Sequence, residues 1–518
     1  MTGISRRSAL ALAGAVSLGA VLAGCTPVST RPGSTPATST PPTPAGPPDW
    51  AALAAGITGT LARQGDATYD SARLTENPRF DNARPLAVLS AKSAADVSAA
   101  VTFASRYAVP LSLRSGGHSY SGYSAGGASG TGVSPSLVID TRPMNSVTLA
   151  ADNSVRIGAG ATLAQVYDTV GSRGRAIAGG SCATVGITGL TLGGGVGVLV
   201  REFGLTCDSM TEVELVTADG VIRTVNASTE PDLFWACRGG GGGHLGVVTA
   251  ITLTTRQAPD LSMFSLAWPF SMAAFVIAAW QHWAPNADSR LWSTLKLLNG
   301  VHHSEPGLTV SGTWLGDAAD LPAQLAPFLN AVGKPTRDSS VRHSYRDAMM
   351  AFAGCSGIAI SRCTTAAGGA LKRETFTGTS HVAYVVASDS GVKAILDAVA
   401  RAKEVPALIE GGISLDALGG SVRDISVADT AFAHRAALMT VQYTATCADG
   451  AAIDPLQGWV RGFRAALEPT WANGAYVNYP DAAIHDSSTA YFAGNAPRLE
   501  KIARAFDPRG IFCQPQPW

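Results

Sequence analysis

Charge is scarce in this chain. Of its 518 residues only 15% are Asp, Glu, Lys or Arg, and 38 basic side chains balance 38 acidic ones. Without an excess of Lys and Arg there is no general affinity for a polyanion, which excludes nucleic acid as a partner. The apolar run near the N-terminus, Ala9–Ala23, is too short for a comfortable bilayer span. No internal repeat is present, and no clean strand–GxGxxG–helix with a downstream acid marks a nicotinamide site. His302 and His303 are adjacent and read as surface residues, so no metal is expected. What is abundant is apolar surface, 46% of residues, enough for a large core and too much for global disorder. Glycine is abundant too. The 57 glycines exceed the usual share of roughly 7% and cluster in Gly116–Gly132, Gly179–Gly197 and Gly239–Gly246.

The first residues read as an address, not as fold. Ser5-Arg6-Arg7 precedes the apolar run, and Leu22-Ala23-Gly24-Cys25 closes it. This is the pattern of a twin-arginine export signal over residues 1–25 ending in a lipobox, with Cys25 as the lipid-bearing residue and membrane anchor. A plain secretory signal with a chance cysteine is the alternative. The expected location is extracytoplasmic, as a cell-envelope lipoprotein. Residues 26–48 hold eight prolines among Thr, Ser, Ala and Gly and should form an extended tether. Export makes disulfides possible. Cys355 and Cys363 bracket a short loop and are the best-placed pair, whose closure contributes about 2.5 kcal/mol by chain entropy; two small buried thiols are the alternative.

From Arg84 the pattern is α+β. Pro85–Ser90, Pro110–Leu113, Ser136–Asp140 and Ser154–Gly160 read as strands, and Leu163–Val170 as a helix. Ser93 and Asp96 form an S-x-x-D start ahead of Val97, Ala100, Val101 and Ala104, the spacing of an amphipathic helix. Thr211–Asn226 reads as strand, Asp-Gly turn, strand, and Gly246–Thr255 as a long β-branched strand. After Pro259 the alternating runs Leu308–Leu315, His381–Ser388 and Leu438–Thr446 predict an antiparallel sheet, with a helix over Gly391–Lys403. Trp280 and Trp283, at near-helical spacing, read as core more readily than as a sugar platform, and Trp292 also could stack on a ring.

Two loops carry the chemistry. RSGGHSY (Arg114–Tyr120) and GGSCATVG (Gly179–Gly186) place His118 and Cys182 in glycine turns. Such turns let backbone N–H groups approach a diphosphate, and imidazole and thiol are the side chains best able to attack an activated ring. These motifs, with CATVGITGLTLGGGVG (Cys182–Gly197), CRGGGGGHLGVVT (Cys237–Thr249), TAFAHR (Thr430–Arg435), VNYPD and RAFDPRGIF, resemble the berberine bridge enzyme-like FAD-linked oxidases of the vanillyl-alcohol oxidase superfamily. The resemblance runs from about Asn77 to Trp518. It implies an α+β protein with a split, two-subdomain PCMH-type FAD-binding domain (residues 49–256), completed by residues 471–518. It also implies a substrate domain (257–470) built on an antiparallel sheet covered by helices.

The same resemblance implies FAD joined twice, His118 at the ring methyl and Cys182 at the neighbouring ring carbon. It places Arg114, Ser115, Gly116, Gly117, Ser119, Gly180, Ser181, Val185, Gly186, Gly189, Gly194, Gly195, Gly197, Asp208, Gly246, Val248 and Asn478 around that cofactor, with Ser115 and Ser119 among the diphosphate donors. A small Val185 goes with dioxygen access, hence with an oxidase; a dehydrogenase is the alternative. Tyr479 matches the base that takes a hydroxyl proton as hydride leaves carbon, and Tyr476 matches a second site tyrosine. A phenol needs a cation or hydrogen bonds to lower its pKa for that role. Tyr476 and Tyr479 share a face only if the chain turns between them. Gln442 stands where berberine bridge enzyme has its glutamate base and cannot take a proton, so Gln442 and Tyr120 are expected to contact substrate. His244 replaces an expected Asn with no predictable effect. The implied reaction oxidises a hydroxyl-bearing small molecule, a mono- or oligosaccharide first, and passes electrons to dioxygen to give hydrogen peroxide. Alternatives are a tailoring enzyme for a secondary metabolite and a flavin-loaded envelope protein that binds without turnover.

Overall fold

Period-two alternation organises the larger part of the molecule, seen in a computed structural model that describes residues 46–512 and 514–518. The export signal, Cys25 and most of the tether lie outside the described residues. No helix among the described residues is long and apolar enough to cross a membrane.

Three main sheets carry the fold. Thr60–Arg63 (β1), Ala87–Ser90 (β2), Leu111–Arg114 (β3) and Leu137–Asp140 (β4) form a four-stranded sheet in the order β1-β2-β4-β3, parallel across β2, β4 and β3. Helix Ala94–Tyr107 packs beside it, burying Val97, Ala100, Val101 and Ala104 as its spacing predicts. Its cap differs in one detail from the reciprocal box. Ser93 accepts from the Asp96 N–H, but the Asp96 carboxylate reaches Lys92 N and Thr58 N, both at 2.8 Å, and so ties the preceding turn to the helix.

Val147–Leu149 (β5), Ser154–Gly158 (β6), Met210–Val216 (β8), Ile222–Asn226 (β9) and Val247–Thr254 (β10) form an antiparallel sheet ordered β5-β6-β10-β8-β9. Arg175–Ala176 (β7) pairs with Arg256–Gln257 (β11). The core of this region also takes in Tyr345, Met349, Tyr476, Tyr491, Phe492 and Leu499. The C-terminal segment thus completes a core begun in the first half, and part of the middle third joins it. Helix Ala496–Phe506 contributes Leu499 and Ile502, with Ala503 and Phe506 half-buried beside them.

The seven-stranded antiparallel sheet takes Asp260–Trp268 (β12), Leu291–Gly300 (β13), Gly307–Trp314 (β14), Arg337–Ser344 (β15), Thr375–Ala383 (β16), Leu408–Ala417 (β17) and Met439–Cys447 (β18), in the order β15-β12-β14-β13-β17-β18-β16. One face is apolar, with Leu266, Leu295, Leu297, Val310, Leu415, Val441 and Tyr443 packed under helices such as Asp389–Ala400 and Asp454–Trp471. Trp280 and Trp283 belong to this core, not to a ligand platform. The other face carries Lys296, Thr294, Ser414, Asp416, Thr440 and Gln442 in cross-strand register.

The run His381–Ser388 is only partly strand. β16 stops at Ala383 because its partner β18 begins at Met439, opposite that residue. Tyr384 and Val385 continue the alternation in sequence with nothing to pair against, and both are exposed. The Cys355–Cys363 disulfide forms, with a Cα separation of 5.8 Å. Cys207, Cys237 and Cys447 are buried free thiols.

Candidate functional site

The two motif loops meet backbone to backbone. A Cβ on Gly116 would sit 2.2 Å from Gly186 N, and one on Gly186 would sit 2.3 Å from Gly116 N. Only hydrogen at both positions permits that approach. Gly117, Gly194 and Gly195 have φ of +79°, +117° and +92°, the region that favours glycine. Gly197 crosses so close to the Gly179 carbonyl that a Cβ would meet its oxygen at 1.7 Å, and Gly180 lies under Leu190. Gly246 and Val248 are buried at the start of β10. Ser181 is half-buried and Gly189 is exposed.

The polar members of the expected cofactor set are partly spent elsewhere. Arg114 is buried and ion-paired to Asp140 across β3 and β4 at 2.9 Å, and it also donates to the Arg73 carbonyl. Burial opposes ionisation of Asp140, yet Arg114 and Arg142 hold its carboxyl below the usual carboxylate range. This buried pair braces the loop from beneath. The Ser115 hydroxyl donates to Ala159 O at 2.6 Å, which leaves only its N–H for a diphosphate. Ser119 Oγ accepts from Tyr123 N. Asp208 forms a buried pair with Arg435 at 2.7 Å and caps Leu205 N, so its carboxylate is not open to a cofactor.

His118 and Cys182 come together. His118 Nε2 lies 2.8 Å from the Thr184 hydroxyl, two residues beyond Cys182, and Thr184 donates to Glu76 Oε1 at 3.0 Å. The Cys182 thiol is exposed, yet desolvation pushes it up, with Lys296 opposing and Glu76 and Glu374 reinforcing. A group open to solvent and still desolvated by protein around it lies on the floor of a cleft. Burial likewise lowers His118 below the ordinary histidine value, against the pull of Glu76, so its imidazole is neutral near pH 7.

The tyrosines form the end of that cleft. A turn, with Tyr479 N donating to Tyr476 O, sets the two rings edge to face at 5.0 Å. Their roles separate. The Tyr476 hydroxyl accepts from Gly195 N (3.0 Å), Val196 N (3.1 Å) and Asn478 Nδ2 (2.8 Å). Tyr476 is 2% exposed, and its phenol is pushed up to about 12 by burial. Its hydroxyl clamps the glycine loop. Asn478 joins the clamp by donating to Leu190 O. Tyr479 stacks on Tyr120 at 5.2 Å, and Gln442 Nε2 donates to the Tyr120 hydroxyl. Burial and then Tyr120, Asp416, Tyr476 and Cys182 all raise the Tyr479 phenol. The cation or hydrogen bond expected to lower it is not found among the described residues.

Residues that sequence reasoning missed face these tyrosines from the sheet. Thr294, Asp416 and Thr440 align across β13, β17 and β18. The Thr440 hydroxyl is buried without a hydrogen-bond partner in the structure, and the buried Thr294 hydroxyl sits beside the Asp416 carboxyl, directly across the strands. The Asp416 carboxyl is pushed up by burial, with Lys296 opposing, and lies within electrostatic reach of both Tyr479 and Tyr120. Alternation around Asp416 in GGISLDALGG, and the lone charge of Lys296 in LWSTLKLLNG, were the available signals. Val185 is half-buried against the core beside the cleft loop. Trp292 is buried, 6% exposed. His244 packs against Trp518 at 4.5 Å. His303 finds an acid the sequence could not show, Glu410 at 2.7 Å, but no group of three ligands exists among the described residues.

A flavin suits this arrangement. The cradle is glycine backbone that any Cβ would fill, the exposed thiol and the neutral imidazole converge on its floor, and polar side chains, the unpartnered Thr440 hydroxyl among them, stand opposite. Comparison with known proteins agrees. Residues 85–226 match an FAD binding domain, and residues 475–517 match the berberine and berberine-like family. The FAD-linked oxidoreductase YgaK of Bacillus subtilis (strain 168) is 30% identical over 461 residues, 88% of this chain and 96% of that protein. The chitooligosaccharide oxidase of Gibberella zeae is 30% identical over 83% of this chain and 87% of its own length. Among solved structures, a chitooligosaccharide oxidase superposes with a TM-score of 0.80 at 26% identity, covering 90% of this chain and 98% of that one. A glucooligosaccharide oxidase from Acremonium strictum, whose FAD is 6-S-cysteinyl and 8α-N1-histidyl, superposes with a TM-score of 0.77 at 26% identity, covering 89% of this chain and 97% of that one.

Proposed function

Since this chain belongs to the berberine bridge enzyme-like FAD-linked oxidoreductases, we propose that it is an exported carbohydrate oxidase with a doubly tethered flavin. The observation that carries this reading is the convergence of His118 and Cys182 on one cleft floor, with Tyr479, Tyr120, Gln442 and Asp416 around its end. Relatives named for chitooligosaccharide, glucooligosaccharide and xylooligosaccharide oxidation support a sugar as substrate. Arg6-Arg7 and Leu22-Ala23-Gly24-Cys25 support twin-arginine export and a lipid on Cys25.

When bound, FAD supplies the two-electron acceptor, and dioxygen re-oxidises it with release of hydrogen peroxide. The protein's part is positioning and proton transfer. Gln442 holds Tyr120, Tyr120 stacks on Tyr479, and together they orient a sugar hydroxyl toward the Tyr479 oxygen. Because burial, Tyr120, Asp416, Tyr476 and Cys182 raise the Tyr479 phenol, it works best as a relay: it takes the substrate proton as its own proton passes to Asp416. Val185, small and beside the cleft, leaves room for dioxygen.

Acid precipitation of the purified protein tests the tethers. Yellow colour should stay in the pellet, survive either His118→Ala or Cys182→Ala, and disappear when both are made. A screen of mono- and oligosaccharides should then show peroxide release in step with dioxygen uptake. Dye reduction without peroxide would make the protein a dehydrogenase, and a flavin no sugar bleaches would remove the oxidase reading.

A further inference from the structure

The hydrogen bonds around His118 determine where its proton sits. Glu76 is an acceptor only, so the Thr184 hydroxyl, 3.0 Å from Oε1, spends its single proton on Glu76. Toward His118 that hydroxyl can then only accept. The 2.8 Å contact to Nε2 is therefore an N–H donation from the ring. A neutral imidazole with its proton on Nε2 carries its lone pair on Nδ1, which has no partner among the described residues. Glu76 is itself held: its N–H donates to Gly117 O, inside the His118 motif, and Oε2 accepts from Thr365 at 2.9 Å.

We propose that Glu76, acting through Thr184, is the positioning residue that fixes the His118 tautomer and receives its proton when the flavin is attached. This rests on the doubly tethered reading above. Attachment forms a bond from Nδ1 to the ring-methyl carbon of the flavin. That carbon loses one hydrogen, and Nε2 loses its proton through Thr184 toward Glu76 as positive charge develops on the ring. The two electrons left on the cofactor pass to dioxygen, which takes up two protons and leaves as hydrogen peroxide. The carboxylate thus assists in two ways: it presents the nucleophilic nitrogen beforehand, and it stabilises the cation during bond formation. Cys182 makes no hydrogen bond in this relay, and Glu76 acts on it only through space, so the two tethers form through different contacts.

The test uses the full chain in a Cys182→Ser background, where His118 is the only anchor, and counts acid-stable flavin per protein during reconstitution with FAD in air. Adding Glu76→Gln, or separately Thr184→Val, should slow histidyl attachment about tenfold or more, the scale of a charge-assisted hydrogen bond. Whatever does attach should include linkage at Nε2, identified in the isolated flavin peptide. Thr365→Val removes the other hydrogen bond to the Glu76 carboxylate, spares the relay and should attach at the parental rate. With Cys182 restored, the Glu76→Gln protein should stay yellow through that thiol, which shows that it folds and binds FAD. Unchanged rate and unchanged Nδ1 linkage in both relay variants would overturn the proposal. A wild-type protein that releases all its flavin in acid would instead overturn the tethered reading itself, and this proposal with it.

Discussion

The two walls of the cleft are built by opposite means. The flavin wall is backbone: Gly116, Gly186 and Gly197 let loops touch where any Cβ would collide, and Tyr476 and Asn478 clamp them from behind. The facing wall is side chain: one face of the seven-stranded sheet presents Thr294, Lys296, Asp416, Thr440 and Gln442 at regular cross-strand spacing. The first wall tolerates no added atoms and binds by shape. The second can exchange side chains with little effect on the fold, because its stability comes from the apolar face behind it. On the reading proposed above, cofactor binding falls to the wall that cannot vary and substrate choice to the wall that can.

That contrast can be broken or sharpened. The largest effect is expected at Tyr479→Phe, which removes the relay oxygen: turnover should fall by about 10²–10⁴, with acid-stable flavin unchanged, as read by stopped-flow flavin bleaching. Asp416→Asn should follow it and abolish the acidic limb of the rate profile. In the parent that limb should lie above the ordinary Asp value, since burial raises this carboxyl, and activity should fall as pH drops through it.

Gly186→Ala tests the rigid wall directly. Its Cβ would meet Ser115 Oγ at 2.1 Å and Gly116 N at 2.3 Å. Overpacking at such contacts costs about 3 kcal/mol, with loss of bound flavin, measurable by thermal unfolding and the absorbance ratio.

His434 tests the seam between C-terminal segment and sheet. It accepts from the Tyr384 hydroxyl at Nδ1 and donates to Tyr491 O from Nε2. Burial lowers its pKa from 6.5 to about 4. Its neutral form is favoured in the fold, so this contribution is complete above about pH 6.5 and lost as pH falls toward 4. The shift corresponds to about 3 kcal/mol at most. Urea unfolding at pH 7.5 and 4.5 should show a steeper loss in the parent than in His434→Asn.

The smallest effect belongs to Thr294→Val on the variable wall. The hydroxyl is buried beside the Asp416 carboxyl, which it holds down against the push of burial, so stability should change by no more than about 1 kcal/mol. KM for sugar should rise severalfold while flavin content stays constant.

Much of the cofactor wall was legible because it is local. RSGGHSY and GGSCATVG place a nucleophile in a glycine turn within seven or eight residues, and strands such as Leu137–Asp140 and Met439–Cys447 fall within a residue or two of their alternating patterns. Legibility stopped where a residue type admits several environments. Arg114, Ser115 and Asp208 looked like ligands by their place in motifs, yet Asp140, Ala159 and Arg435 consume them. Tyr476 looked like a partner of Tyr479 and is a clamp. Glu76, Lys296 and Asp416 carry no motif, and their importance comes from neighbours sixty or more residues away.

Composition and short patterns by themselves established an α+β fold with glycine-rich loops and two reactive side chains, since turn geometry and alternation are properties of a few adjacent residues; the flavin came from the family those motifs resemble. Only the tertiary structure decided which polar groups remain open to a ligand. Hydrogen-bond capacity and charge are used up by whichever partner the fold brings within about 3 Å, and that partner is set by strand register and loop crossing over the whole chain.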